Sequence, residues 1–224
     1  MVEPLPWVFT RLRDNYRGQE GVTFENAAIA DADGRVPFYY VTPAEDRGPE
    51  DPPIWSDAMG SLSRDEMEKT IAAARHFAAL GCGVLIPDIG SRIERTEVPS
   101  LTFESLCHKH AIGELDLLLI DAEGSDYEII KGIDFGRHRP RLLIYESIHF
   151  SADERERSRA YLEGLGYETM DEGFDTWCHD PRANDVLAQC WRSVRPVRSK
   201  RRLGMLLHRI RARLAPRPST PRGR

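Results

Sequence analysis

Acidic side chains and one histidine follow two short apolar runs, in positions suited to proton transfer or to orienting a ligand. The run Leu117 to Ile120 ends in Asp121, and Glu123 follows two residues later. The run in "RLLIYES" ends in Glu146, and His149 follows three residues later. Carboxylates and imidazole are common general acids and bases in proteins. These four polar residues are therefore our first candidates for catalysis.

A purely structural explanation of the same residues also exists. Asp121 and Glu123 precede a predicted helix, and negative charge at a helix start is favourable by about 0.3 to 1 kcal/mol because free N–H groups point that way. A lone histidine after a strand, such as His149, is more often an exposed loop residue. The pattern alone does not decide between the structural and the chemical explanation.

The two apolar runs predict neighbouring strands of a parallel sheet. Continuous apolar runs are typical of strands that are covered on both faces, and the segment between these two has the length of a helix. Ser125, with Glu128 three residues later, predicts a capping box at the start of that helix. Because ligands of open α/β sheets bind at the carboxyl ends of the strands, we expect Asp121 and Glu146 to face one cleft.

Periodicity, capping residues and turn residues predict the remaining elements. They are a helix over 6–16, strands over 22–30 and 35–41, a helix over 63–80, irregular extended structure over 84–101, a helix capped by Thr102, and an antiparallel hairpin over 164–178. Pro37 lies in the second of these strands and predicts an edge position, because proline cannot donate to a ladder.

Composition limits the class of protein. The chain has 224 residues, 41% of them hydrophobic, and a formal net charge of -5, which suits one soluble domain with an appendage. No apolar run approaches the roughly 20 residues that a bilayer requires, and the N-terminus lacks the pattern of a secretory signal. The four cysteines have no zinc-ribbon or disulfide-scaffold spacing. These features predict a cytoplasmic protein with free thiols.

The residues after Trp191 differ in charge from the rest of the chain, because they include many arginines and no acid. We therefore predict a domain over 1–190 and a basic tail over 191–224. Leucines at helical spacing in "RRLGMLLHRIRARL" indicate a basic amphipathic helix. Such a helix docks on its own domain, stays disordered, contacts an anionic membrane or binds nucleic acid. Docking or disorder is favoured over membrane contact, and nucleic acid is the least favoured partner.

Three stretches resemble the FkbM family of S-adenosylmethionine-dependent methyltransferases: "IGELDLLLIDAEGSDYEIIKGIDF", "RPRLLIYESIHF" and "LGYETMDEGFDTWC". The resemblance covers most of residues 1 to about 190. Its most specific part is an Asp-x-Glu-Gly motif with its flanks, which in this chain are Asp121, Glu123, Gly124, Glu128, Lys131 and Gly132.

The resemblance implies a fold and an activity. The fold is α/β, Rossmann-like and of the class I methyltransferase type, with a mostly parallel sheet and a C-terminal antiparallel hairpin. The activity is S-adenosylmethionine-dependent O-methylation of a hydroxyl on a sugar or secondary metabolite, with no metal requirement. The competing hypothesis is a non-catalytic relative that serves as a binding module.

The resemblance also implies residue roles. Glu3 occupies the position of the acid that binds the cofactor's ribose, and Asn26 and Ala27 lie where an adenine ring would bind. Asp121 is the first candidate for orienting cofactor or acceptor, and Glu123 is the second. Glu146 and His149 are candidates for the base that takes the acceptor's proton. The run "CHKH" at 107–110 is not a predicted metal site, because adjacent helical residues diverge by about 100°.

The start of the chain departs from the family pattern. Members begin with a strand, a glycine-rich turn and a helix, whereas "MVEP" matches only the end of the second strand. Neither "ALGCGVLIP" nor "VLIPDIG" replaces that turn. In the first, the glycines precede the apolar run, whereas a cofactor-binding turn follows its strand, and in the second, proline interrupts the strand. We therefore expect an N-terminally truncated fold, and an incomplete reading of a longer chain is favoured over strands supplied by a partner or genuine degeneration.

This departure has a structural consequence. The missing first strand is central in the family's sheet, so its loss should separate the strand pair over 22–41 from the unit that begins at Leu117. It should also leave apolar strand edges unpaired.

Overall fold

The computed structural model describes residues 1–43, 54–79, 89–182 and 186–194. The chain divides into two compact units, Met1–Asp180 and Pro181–Arg224, and every predicted site residue belongs to the first. The amphipathic helix predicted in the basic tail and the run "GCGVLIP" lie outside the described residues.

None of the helices in the described ranges is both long and apolar enough to span a membrane.

The first sheet is built from the N-terminal half of the chain, and its strand order is β1-β4-β2-β3. The strands are β1 (Ala28–Ile29), β2 (Gly34–Val41), β3 (Gly60–Ser61) and β4 (Ile93–Leu101), and the helices around them are α1 (Pro6–Asn15) and α2 (Arg64–Ala79). Short 3-10 turns cover Ile54–Ala58 and Ile89–Arg92. Strand β4 is parallel to β1 and antiparallel to β2.

Two predictions for this half are corrected. The segment predicted to be irregular contains β4, which pairs with all of β2 and buries Val98 against Phe38 and Leu5 in a small core. Strand β2 is not at the edge, because it lies between β4 and β3. Proline is still tolerated there, since β3 pairs only with Tyr39 and Tyr40 and does not reach Pro37.

The second sheet is built from the C-terminal half of the first unit, and its strand order is β5-β6-β8-β7. The strands are β5 (Leu117–Ile120), β6 (Leu142–Glu146), β7 (Glu168–Asp171) and β8 (Asp175–His179), and the helices are α3 (Phe103–Lys109), α4 (Asp126–Lys131) and α5 (Ala152–Gly164). Strands β5 and β6 are parallel, and α4 connects them as predicted. Strand β8 is antiparallel to both β6 and β7.

The main core lies on one face of the second sheet. Ile130 from α4, Leu143 and Tyr145 from β6, and Leu162 from α5 are all completely buried there. The Tyr145 hydroxyl shares a 2.9 Å hydrogen bond with Ser158 Oγ, so burying this phenol leaves no polar group unsatisfied. This packing fixes β6, and therefore fixes the residues that follow it.

The predicted mostly parallel sheet is wrong, because the structure has two mixed sheets. Among the described strands, only β1 with β4 and β5 with β6 run parallel. The other strand pairs are antiparallel, and short connections such as the one between β7 and β8 permit no other arrangement.

The strands of the N-terminal half and those that begin at Leu117 lie in different sheets, as predicted, but β1 and β2 do not form the expected pair, because each of them pairs with β4. Strand β5 is at the edge of its sheet. It was expected to be covered on both faces, but one of its faces is exposed. Leu117 and Leu119 are 54% and 64% exposed, and they alternate with the half-buried Leu118 and the buried Ile120.

Candidate functional site

The turns after β5 and β6 lie side by side. The two strands are parallel, and Ile120 pairs in register with Tyr145, so the residues that follow them emerge at the same edge of the sheet. Asp121 and Glu146 are consequently neighbours, and the charge of Glu146 influences the Asp121 carboxyl. The structure therefore brings together the two acids that the sequence placed at strand ends.

Glu123, Glu146 and His149 form a compact cluster at this edge, which we call the Glu-Glu-His cluster. Nε2 of His149 lies 3.2 Å from Oε2 of Glu146 and 3.5 Å from Oε2 of Glu123. The side chains are largely shielded, with exposed fractions of 11% for His149, 18% for Glu146 and 25% for Glu123. Three of the four predicted catalytic side chains thus converge, with His149 next to both glutamates, and Asp121 adjoins them.

Burial and crowding of charge shift the pKa values at the site. Burial raises the pKa of Glu123, and the negative charge of Glu146 raises it further. Burial acts to lower the pKa of His149, but the carboxylates of Glu146 and Glu123 outweigh it, so the pKa is raised. Desolvation and repulsion from Glu146 also raise the pKa of Asp121, although this residue is exposed as a whole. A site of this kind favours a bound positive charge or a shared proton.

Asp126 joins the two turns, and sequence reasoning missed it. Its Oδ2 accepts a hydrogen bond from the Ala122 N–H at 3.2 Å, and its Oδ1 accepts one from the Glu146 N–H at 3.1 Å. The side chain is completely buried, and this burial, followed by repulsion from Glu146, raises its pKa to about 7. One carboxylate therefore holds the turn after β5 against the end of β6.

The capping box predicted at Ser125 and Glu128 is wrong. Ser125 is the N-cap of α4, but its side chain makes no capping hydrogen bond. Within the described residues, Asp121 and Glu123 accept no hydrogen bond from an N–H group of α4 either, and Asp126 instead accepts from the N–H groups of Ala122 and Glu146. The available signal was an acid in the first turn of the helix, a position where carboxylates are common.

The loop that carries His149 is fixed by several polar contacts. The Ser147 N–H donates to the Phe174 carbonyl at 2.8 Å, Ser147 Oγ lies 2.9 Å from Thr176 Oγ1, and Arg155 donates to the Ser147 carbonyl. Ser151 then begins α5 with a capping box. His149 therefore lies in a short turn anchored at both ends, so it is not a free loop residue.

The backbone of the turn after β5 adopts left-handed conformations. Glu123 has a φ of 48°, and Gly124 has a φ of 94°. A Cβ on Gly124 would also lie 2.9 Å from Oε2 and 3.1 Å from Cβ of Glu66 on α2. The turn therefore requires glycine at 124 for two separate reasons, backbone conformation and space.

Replacing Gly124 with alanine is expected to lower the free energy of unfolding by more than the backbone strain of a left-handed alanine would by itself. The matched control is Gly173→Ala, because Gly173 has a φ of 99° and open space around it. The control should cost about 1 to 2 kcal/mol from the left-handed backbone. Gly124→Ala has the same backbone strain and in addition a close contact with Glu66. Its free energy of unfolding should therefore fall further than that of Gly173→Ala, as measured by urea denaturation of both variants. Equal losses would contradict the close packing of this turn on α2.

The residues predicted to bind a cofactor's adenosine part lie near the N-terminus. Glu3 Oε1 accepts a hydrogen bond from the Leu5 N–H at 2.7 Å, and burial raises the Glu3 pKa to about 7. Asn26 Nδ2 donates to the carbonyls of Glu3 and Pro4, at 2.8 and 3.1 Å. The structure thus brings Glu3 and Asn26 together, whereas Ala27 is only 1% exposed and offers little surface.

A chain of contacts connects this N-terminal region with the turn after β5. A Cβ on Gly60 would lie 3.4 Å from Cδ1 of Leu5, so Leu5 packs closely beside β3. In the same strand, Ser61 Oγ lies 3.4 Å from Ser125 Oγ, and both serines are buried. The two regions of candidate residues are therefore linked through β3.

A cavity of about 410 Å³ opens elsewhere, beside α3, and none of its lining residues is a predicted site residue. They are Asp33, Leu101, Glu104, Ser105, His108 and Lys109. Two of them are already engaged with each other, because Ser105 Oγ donates to Asp33.

A βαβ unit that carries acids and a histidine beyond its strands is an arrangement typical of α/β enzymes that bind small ligands. The model of the FkbM methyltransferase domain matches residues 1–169, which includes both turns of the site. The chain belongs to the FkbM methyltransferase family. No curated protein and no solved structure matches it.

Proposed function

We propose that the protein is an S-adenosylmethionine-dependent O-methyltransferase that acts on a hydroxyl of a sugar or secondary metabolite. The observation that carries this proposal is the Glu-Glu-His cluster at the carboxyl ends of β5 and β6, within a domain of the FkbM methyltransferase family. The family supports methyl transfer in general, and the cluster supplies groups that accept a proton from a hydroxyl.

The proposed roles of the residues follow from their chemistry. S-adenosylmethionine, when bound, supplies a methyl group activated by a positively charged sulfur. Asp121 and Glu123 orient the acceptor and the cofactor, and Glu146 with His149 receives the hydroxyl proton. His149 suits this work because its imidazole is held between two carboxylates that stabilise the protonated ring.

The proposed cofactor contacts at the N-terminus fit the residues in part. Glu3 is a half-buried carboxyl whose Oε1 is engaged by the Leu5 N–H, and within the described residues its Oε2 is the oxygen left for the ribose hydroxyls. Asn26 has its amide nitrogen engaged with backbone carbonyls, and Ala27 is buried, so their proposed role in adenine binding involves the backbone or the Asn26 oxygen. Glu3 is therefore the more informative residue for a binding experiment.

Calorimetric titration with S-adenosylmethionine tests the proposal directly. Saturable binding at one site per chain is expected, followed by transfer of a labelled methyl group to members of a panel of monosaccharides and hydroxylated metabolites. A complete lack of S-adenosylmethionine binding would contradict the proposed enzyme and favour the competing hypothesis, a non-catalytic binding module.

The affinity for S-adenosylmethionine is expected to increase as the pH rises from 6 to 8. The Glu3 pKa is about 7, so the carboxyl is mostly protonated at pH 6 and mostly ionised at pH 8. The ionised form is the stronger acceptor for ribose hydroxyls, and the gain is limited to about tenfold by the change in ionised fraction.

The variant Glu3→Gln should bind more weakly and lose this pH dependence. The exposed Glu20 provides a matched control, and Glu20→Gln should bind like the wild-type protein. An unchanged pH profile in Glu3→Gln would remove Glu3 from the proposed cofactor site.

A further inference from the structure

We infer that the Glu-Glu-His cluster is a binding site for one divalent transition-metal cation, with Oε2 of Glu123, Oε2 of Glu146 and Nε2 of His149 as the protein ligands. Each of these residues offers one ligand atom, and the three atoms all lie within 4.8 Å of one another. No other grouping of this kind occurs among the residues that the structure describes. The inference concerns cation binding and goes beyond the proposed methyl transfer.

The distances between the ligand atoms match those around a metal ion. Carboxylate oxygens and imidazole nitrogens bind such ions at about 2.0 to 2.2 Å, which separates neighbouring ligands by about 3.0 Å in an octahedron and about 3.4 Å in a tetrahedron. In the cluster, Nε2 of His149 is 3.2 Å from one carboxylate oxygen and 3.5 Å from the other. The two carboxylate oxygens lie within 4.8 Å of each other, so all three separations are compatible with one shared cation.

Hydrogen bonding within the described residues does not satisfy the cluster. An imidazole Nε2 carries at most one hydrogen, yet two carboxylate oxygens face it. Oε2 of Glu146 is buried and has no hydrogen-bond partner among the described residues, because Nε2 of His149 lies within ion-pair distance but is not aligned for a hydrogen bond. A buried carboxylate oxygen without a partner is costly, and a cation would satisfy it together with the other two ligand atoms.

The surroundings of the cluster also favour a cation. Asp126 accepts a hydrogen bond from the Glu146 N–H, and Asp121 follows β5 beside Glu146, so two further carboxyl groups adjoin the three ligands. The anchored turns at both ends of the cluster hold the ligands in place before a metal binds. Such preorganisation increases affinity because fewer side chains must be ordered on binding.

The ligand set indicates the class of ion. Two carboxylate oxygens and one imidazole nitrogen suit Mn²⁺, Fe²⁺, Co²⁺ or Zn²⁺, whereas Mg²⁺ and Ca²⁺ prefer ligands made of oxygen alone. Three protein ligands leave positions open for water or for a hydroxyl of a substrate. The cation would occupy the Nε2 lone pair that otherwise accepts a proton, so a metal-bound His149 and a proton-accepting His149 are alternatives.

The test is calorimetric titration of the full chain with MnCl₂, after treatment with a chelator and without S-adenosylmethionine. Saturable binding of one ion per chain is expected. Glu146→Gln and His149→Gln should each weaken it at least tenfold, on the order seen when groups that support a metal site are lost. Glu156→Gln on the exposed face of α5 and the exposed His108→Gln are matched controls and should bind like the wild-type protein.

A second measurement needs no variant, so it does not depend on how the variants fold. In the wild-type protein, Mn²⁺ should broaden the amide NMR signals of 122–124 and 147–150 before all others. A flat isotherm, broadening centred elsewhere, or unchanged affinity in folded cluster variants would each overturn the inference. The Mn²⁺ titration contains no S-adenosylmethionine, and S-adenosylmethionine binding is measured in a separate titration. A lack of Mn²⁺ binding is therefore distinguishable from a lack of S-adenosylmethionine binding.

Discussion

Methyl transfer is expected to fall by about two to four orders of magnitude when His149 is replaced with alanine, the range associated with a lost proton-transfer group. His149 contacts both carboxylates of the cluster, so its removal takes away the proton acceptor and leaves Glu123 and Glu146 to repel each other. The change should affect kcat more than the affinity for S-adenosylmethionine, because the proposed cofactor contacts include Glu3 at a separate position.

The measurement is transfer of a labelled methyl group to the acceptor found in the panel, with calorimetry for cofactor affinity. His108→Ala is the matched control, since His108 is exposed on α3 and takes no part in the cluster. Unchanged kcat in His149→Ala would exclude His149 from the reaction. If His149 is instead a metal ligand, His149→Ala should lose the same activity. Loss of Mn²⁺ affinity in this variant is expected only if His149 is a metal ligand.

The free energy of unfolding is expected to fall by about 2 to 5 kcal/mol when Asp126 is replaced with alanine. The completely buried carboxylate accepts hydrogen bonds from the N–H groups of Ala122 and Glu146, and alanine would leave both donors without their partner. A buried donor left unpaired costs about 1 to 3 kcal/mol, and these two N–H groups are partly buried. The loss should be seen in urea denaturation as a lower midpoint.

Asp126→Asn separates the two bonds of this carboxylate. The asparagine oxygen replaces one acceptor, whereas its NH₂ group would face the other N–H. The free energy of unfolding of this variant should therefore lie between those of the wild-type protein and Asp126→Ala. Asp153→Ala in the first turn of α5 is a control, because Asp153 is 81% exposed and forms a surface ion pair with Arg157. A loss in Asp126→Ala as small as in the control would contradict the role of Asp126 in joining the two turns.

Local patterns predicted much of the second half of the unit. The apolar runs predicted β5 and β6, and their parallel pairing is confirmed because a helix-length connection returns the chain to the same edge of the sheet. The hairpin of β7 and β8 is also confirmed. Helix starts at Ser63 and Thr102 agree with side-chain hydrogen bonds to Glu66 and Ser105, since capping depends on residues only a few positions apart.

Long-range pairing was less predictable. Strand β4 pairs with β2 across more than 50 residues, and the proline in its sequence predicted an irregular segment. Its stability comes from partners that a local window does not contain, such as Phe38 and Leu5 in the small core. For the same reason, the two mixed sheets did not follow from strand patterns alone.

The sequence by itself determined which residue types end the strands, and therefore placed Asp121 and Glu146 at one edge of a parallel pair. Only the tertiary structure decided how close these groups come. It brought Glu123 and His149 together from separate turns and assigned the joining role to Asp126. The physical reason is that the position of a strand follows from local periodicity, whereas side-chain convergence depends on hydrogen bonds and packing between segments far apart in the chain.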